Sequence, residues 1–213
     1  MKKKVPLHSA TDWLNTFVEP KKKETHIIGL GGAGCNIAKY LYEKGFKGTY
    51  SCLSNVERTD LPASVLFIEH HIYSKEKQLQ LILKRVKGDK EVPKPDLDTT
   101  IPELIEKRLK DNCRFILLVG LGGMTGSYLV KQVADYLKDK DKEFAVVCTT
   151  PFNFEGDTNE YADKIKDELA VLPNFYCFSN ESIREKYGNM TMRKAFAMAN
   201  EEVWKICKEL FKE

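Results

Sequence analysis

Two glycine-rich segments each follow an apolar run and open a helical pattern: Gly29-Leu30-Gly31-Gly32-Ala33-Gly34-Cys35-Asn36 and Gly120-Leu121-Gly122-Gly123-Met124-Thr125-Gly126-Ser127. Glycine lets a backbone approach a phosphate and turn its N–H groups toward it, and a helix N-terminus adds partial positive charge. Thr125 and Ser127 add hydroxyl donors. The first segment alone also matches the GxGxxG dinucleotide fingerprint. A dinucleotide fold does not need the second segment, whereas two such loops on one sheet edge fit a ligand with a long polyphosphate. A third segment, Thr149 to Gly156, carries Pro151 and Gly156 at a rigid turn. There Glu155 could accept from ribose hydroxyls, although a Glu at a loop tip is also an ordinary surface feature.

The elements that must position these loops alternate. Strands are expected at Thr25–Leu30, Thr49–Leu53, Ser64–Ile68, Phe115–Val119, Phe144–Cys148 and Phe175–Phe178. Helices are expected at Asn36–Lys44, Lys75–Lys87, from Thr100 as cap to about Lys110, and at Gly126–Lys138, Asn159–Leu169 and Thr191–Phe211. Alternating strands and helices predict an α/β fold: a Rossmann-like, three-layer parallel sheet with helices on both faces. Ligands of such sheets bind beyond the carboxyl ends of the strands. All three loops fall on that edge.

The chain has 213 residues, of which 42% are hydrophobic, enough for a real core. A net charge of +3 gives no dense basic face, so nucleic acid is not an expected partner. The dispersed lysines read as a solvated surface. Residues 1–24 read as an N-terminal extension and 25–213 as the domain. In the extension, lysine triplets at 2–4 and 21–23 bracket Trp13, Leu14, Phe17 and Val18 at helical spacing. That is a short docked helix or a peptide gripping a partner or membrane surface. No apolar stretch follows Met1-Lys2-Lys3-Lys4 as a signal peptide would require, and none approaches the ~20 residues of a membrane span. A cytoplasmic location is expected. The six cysteines form no CxxC pair and read as small buried residues of a reducing compartment. The four histidines show no ligand spacing, so no metal site of His or Cys is expected.

The ordered set strand–GLGGAGCN–helix, strand–GLGGMTGS–helix and strand–TTPFNFEG resembles the GTP-binding domain of the tubulin/FtsZ superfamily, on its FtsZ side, from about Thr25 to Glu213. The resemblance implies GTP or GDP as ligand. By position Gly31, Gly32, Gly122, Gly123, Thr125, Gly126 and Ser127, with Ala33 and Met124 among them, would line the phosphates. Asn36 matches the Asn ending the first loop, and Glu155 the ribose-contacting Glu. Asn180 matches the Asn near the base. Phe196 and Asn200 match the Phe-x-x-x-Asn/Asp pair of the central helix, with Phe196 stacked on the base and Asn200 bonding the guanine edge. A Mg2+ ion would be held through the phosphates. Self-association, or an FtsZ-like protein partner, is implied.

Departures qualify this. The family's Asn-Thr-Asp is Asn55-Val56-Glu57, and no glycine-rich loop follows the third strand. Met124 and Tyr128 replace glycines, so Tyr128 must point away from the phosphates. The family's Arg after PFxFEG aligns with Asn159. The sequence given closes at Glu213, where the family continues toward its water-activating loop and second domain. The expectation is a guanine-nucleotide binder with little or no hydrolysis of its own, related to cell division or regulatory. Two other readings stand beside it. One is an adenylating enzyme using the first loop as a Rossmann fingerprint, with Glu57 late and poorly placed for the ribose. The other is a degenerate scaffold with an empty pocket.

Overall fold

The computed structural model describes residues 23–88, 94–97, 100–156 and 158–210. The expected N-terminal helix lies in residues 1–22, outside the described residues, as does Phe211.

Six strands form one parallel sheet: β1 (Thr25–Leu30), β2 (Thr49–Ser54), β3 (Leu66–Glu69), β4 (Arg114–Gly120), β5 (Phe144–Thr150) and β6 (Phe175–Ser179). Their order is β3-β2-β1-β4-β5-β6, every pairing parallel. The helices between them are α1 (Gly31–Glu43), α2 (Lys75–Val86), α3 (Glu103–Leu109), α4 (Met124–Asp139), α5 (Thr158–Leu169), α6 (Asn180–Tyr187) and α7 (Met192–Glu209).

Parallel strands covered on both faces are apolar on both sides, and β1 and β4 show it. On one face Ile28, Leu30, Phe115, Leu117 and Val119 pack with Leu129, Val133 and Leu137 of α4, Ile105 and Leu109 of α3, and Ile165 of α5. On the other, Ile27, Ile116 and Leu118 pack with Cys35, Ala38 and Leu41 of α1 and Val203 and Cys207 of α7. A third cluster of Phe152, Ile183, Ala195 and Ala199 lies where α6 and α7 meet the loop after β5.

The expected fold class stands. Several boundaries differ. Helix α1 begins at Gly31 and α4 at Met124, so each glycine loop runs into the first turn of its helix. Thr100 does not cap α3. Pro102 is extended (φ −55°, ψ 137°), and its carbonyl accepts from Ile105 and Glu106, so the helix starts after it with no side-chain cap. The eight-residue α6 was not expected. Cys177 on edge strand β6 is exposed and Cys113 is half-buried, so burial does not hold for every cysteine.

His26 on β1 is buried, its Nδ1 bonded to the Thr49 hydroxyl (2.6 Å) and its Nε2 to the Ser51 hydroxyl (3.0 Å). Burial, with the Arg108 charge, pushes its pKa down from 6.5 to about 4. The folded state therefore keeps the imidazole neutral where the unfolded chain protonates. Stability present above pH 6.5 is lost as pH falls toward 4. Urea unfolding at pH 8 and pH 5 should differ by roughly 2 kcal/mol from this group. A His26→Asn variant that kept the full slope would refute the assignment.

Candidate functional site

The strand order reverses between β1 and β4, and loops at such a point part to leave a crevice. Both glycine loops leave from these two strands. Gly31 has φ +71°, and a Cβ there would meet the Gly126 Cα at 2.9 Å; a Cβ at Gly126 would meet the Leu30 carbonyl oxygen at 2.7 Å. The two loops therefore touch backbone to backbone. Neither Leu30 before α1 nor Gly123 before α4 gives a side-chain cap, and neither first turn holds an acid. Residues of both first turns line one cavity of about 750 Å3.

That cavity brings together thirteen of the fourteen sequence-predicted site residues. Gly31, Gly32, Ala33 and Asn36 form one wall, and Gly122, Gly123, Met124, Thr125 and Gly126 another. Glu155, Asn180, Phe196 and Asn200 stand with them. Ser127 is not brought there: it is fully buried, and its Oγ accepts from the Gly122 N–H (3.3 Å), bracing the loop from behind. Tyr128 packs against the core under α4 and leaves the cavity clear.

The far end is built from side chains. Asn180 opens α6; its residue is 6% exposed, and its Oδ1 is buried without a hydrogen-bond partner. The next residue, Glu181, ties α6 to the third loop by accepting from the Asn153 N–H (2.9 Å), which holds its carboxyl below the usual range. Phe196 and Asn200 lie one turn apart on α7. Phe196 is 43% exposed and meets Phe152 edge to face at 5.4 Å. Glu155 lines the cavity while its Oε1 accepts from the Phe152 N–H (2.8 Å). Asn159 donates to the carbonyls of Phe152, Asn153 and Gly156, so this residue braces the turn.

Sequence reasoning missed Arg58. Its side chain reaches back across the loop after β2, donating to the Gly32 carbonyl (3.3 Å) and the Asn36 Oδ1 (2.7 Å). Asp60 holds the guanidinium from its other side, and Lys39 holds Asp60 (3.0 Å); these two cations keep the Asp60 carboxyl well below its ordinary range. A cation thus sits behind the first loop and orients Asn36. Tyr40, a turn after Asn36, was also missed. It lines the cavity and donates to Glu201 on α7, which Lys44 pairs at 3.1 Å. Asn55, Thr149, Pro151, Thr158 and Arg193 complete much of the wall. Among the described residues no three His, Cys, Asp or Glu side chains gather as a metal site.

Residues 24–188 match the family model described as Tubulin/FtsZ family, GTPase domain. Over 176 residues the chain is 28% identical to a cell division protein FtsZ of Mycoplasmopsis pulmonis, covering 82% of this chain and 44% of that protein. It is 26% identical over 206 residues to the mitochondrial division protein fszB of Dictyostelium discoideum, covering 92% and 53%. The chain thus spans about half the length of these curated relatives. Among solved structures, an empty FtsZ dimer of M. jannaschii superposes with a TM-score of 0.67 at 20% identity, covering 96% of this chain and 59% of that one. A TubZ from the Clostridium botulinum phage c-st superposes at 0.59 and 15% identity, covering 88% and 59%.

Two glycines separate folding from binding. A Cβ at Gly34 would overlap the Leu118 carbonyl oxygen, whereas one at Gly32 meets nothing within 4 Å. Gly34→Ala should destabilise the fold by roughly 3 kcal/mol or more in urea unfolding. Gly32→Ala should fold normally and still weaken a phosphate ligand, measured by calorimetry. Equal stability of the two variants would refute this packing. Arg58→Ala should weaken the same ligand about tenfold, ~1.4 kcal/mol; unchanged affinity would show that Asn36 needs no such support.

Proposed function

The chain belongs to the tubulin/FtsZ family by its GTPase domain, and from that premise we propose that it binds GTP or GDP in the cavity between its glycine loops. One observation carries the reading. The same cavity has two uncapped helix N-termini at one end and, at the other, the buried unpartnered oxygen of Asn180 beside Phe196 and Asn200. The first suits phosphates. The second suits a planar base with donors on its edge: guanine offers N1–H and a 2-amino group side by side, where adenine's N1 is an acceptor. An unpartnered buried acceptor is costly until such a donor arrives.

In this reading the α1 and α4 amides hold the phosphates, with Thr125 adding a hydroxyl. Phe196 offers a ring face to the base, and Asn200 bonds its edge. Glu155, already turned by the Phe152 N–H, keeps its second oxygen for the ribose. A Mg2+ ion would take oxygen ligands. The wall offers Asn36, Asn55 and Thr125 as neutral ones, so the ion would be held chiefly through the phosphates.

Hydrolysis by this chain alone is proposed to be slow. Among the described wall residues the one carboxylate is Glu155, and one of its oxygens is engaged. A general base must reach the attacking water, and no wall residue is set to do so. The division-protein names of the relatives support a division-related or regulatory role, in self-association or with an FtsZ-like partner.

Calorimetry with GDP, GTP, ATP and NAD tests the ligand. GDP and GTP should bind, and at 100 times Kd should stabilise the fold by ~2.7 kcal/mol. Binding of the adenine ligands alone would sink the proposal. Asn180→Ala should weaken GDP about tenfold or more, ~1.4 kcal/mol at least, by leaving a base donor unpaired.

A further inference from the structure

Helix α2 is held to the body by its back. Leu81 is buried in the larger core cluster, and the Gln78 amide donates to the Tyr73 carbonyl. The Ser74 hydroxyl accepts from Lys77 N–H and is itself held by Asp96, which fixes the helix start. Leu79, Ile82, Leu83 and Val86 stand at i, i+3, i+4 and i+7 and are 59, 55, 52 and 81% exposed. At roughly 100° per residue they form one stripe turned about 150° from Leu81, straight into solvent. Single exposed apolar residues are normal, but four in a stripe mark an interaction surface. Residues 75–87 carry Lys75, Lys77, Lys84, Arg85 and Lys87 against Glu76 in the sequence; by the same rotation Lys75 and Lys87 stand nearer the stripe, and Lys77 and Lys84 turn toward the Leu81 side. No residue of α2 lines the nucleotide cavity.

Charge decides among the occupants. The chain's own residues 1–22 hold Trp13, Leu14, Phe17 and Val18, but their flanking lysines carry the same sign as α2. A second copy would set one basic helix against another. An anionic lipid surface takes up the stripe and attracts the net positive charge of the segment, with Lys75 and Lys87 nearest to it. We propose that α2 is a membrane-surface helix. It lies flat on an anionic bilayer, with Leu79, Ile82, Leu83 and Val86 at the boundary of headgroups and acyl chains. It does not span: among the described residues no helix is long and apolar enough to cross a membrane.

Vesicle flotation of the full chain tests this. Vesicles of one part phosphatidylserine to two parts phosphatidylcholine should carry the protein, and phosphatidylcholine alone should carry at least tenfold less. Ile82→Ser/Val86→Ser should lose tenfold or more with an unchanged urea midpoint, since both side chains are exposed. Lys75→Glu/Lys87→Glu should lose binding without touching the stripe. Hydrogen exchange of amides 75–86 should slow when the anionic vesicles are added. Three results overturn the proposal: no binding to the anionic vesicles, binding unaffected by the serine pair, or protection confined to other segments. Sedimentation showing self-association abolished by the serine pair would assign the stripe to a second copy and would equally overturn it. GDP binding reads a separate site, so its failure leaves this result interpretable.

Discussion

The contact between Gly31 and Gly126 governs the cavity between the two glycine loops. Two helices start from the strands on either side of the point where the sheet order reverses, and their first turns meet with no side chain between them. Any larger residue at either position would push the helix starts apart. The amides of both turns would then no longer face the same volume. The close approach also explains why α1 and α4 tolerate glycines in their first turns, where propensity argues against them: the contact is made by backbone, and core packing of Cys35, Ala38, Leu129 and Val133 holds both helices in place.

Legibility followed the range of the interactions involved. The parallel sheet, its covered faces and the two loops are readable because each rests on local pattern: an apolar run, a glycine cluster, a helical period. Helix starts were misplaced because glycine is a poor helix former, and only the tertiary contact makes Gly31 helical. Helix α6 was missed because of its eight residues only Asn180, Glu181 and Ile183 are buried, too few for a period. Arg58 sits in a loop without periodicity and acts on residues 22 and 26 positions away. Tyr40 and Glu201 are 161 positions apart. The sequence offers the Ser127 hydroxyl as a ligand donor; in the structure it closes the loop on itself. Asn159, which aligns with the family's Arg, fastens the third turn through its amide.

The cavity's two ends therefore differ in what they ask of the sequence. The glycine-loop end is backbone, so it needs small residues at a few contacts and is indifferent elsewhere. That is why Met124 and Tyr128 can stand where the family has glycines: Met124 starts a helix, and Tyr128 turns to the core. The other end is made of side chains on elements tied to the third loop. Phe196 leans on Phe152, whose own N–H is held by Glu155; Asn180 opens a helix tied to the same loop through Glu181. A substitution at the first end changes whether the cavity keeps its shape; in the proposed reading, one at the second changes which base it prefers. Asn36 joins the two regimes. It is a side chain at the backbone end, and it is steered by Arg58 across a loop that departs from the family's Asn-Thr-Asp. In this chain Arg58 of that loop reaches the Gly32 carbonyl and the Asn36 side chain, and Asp60 holds the guanidinium in place.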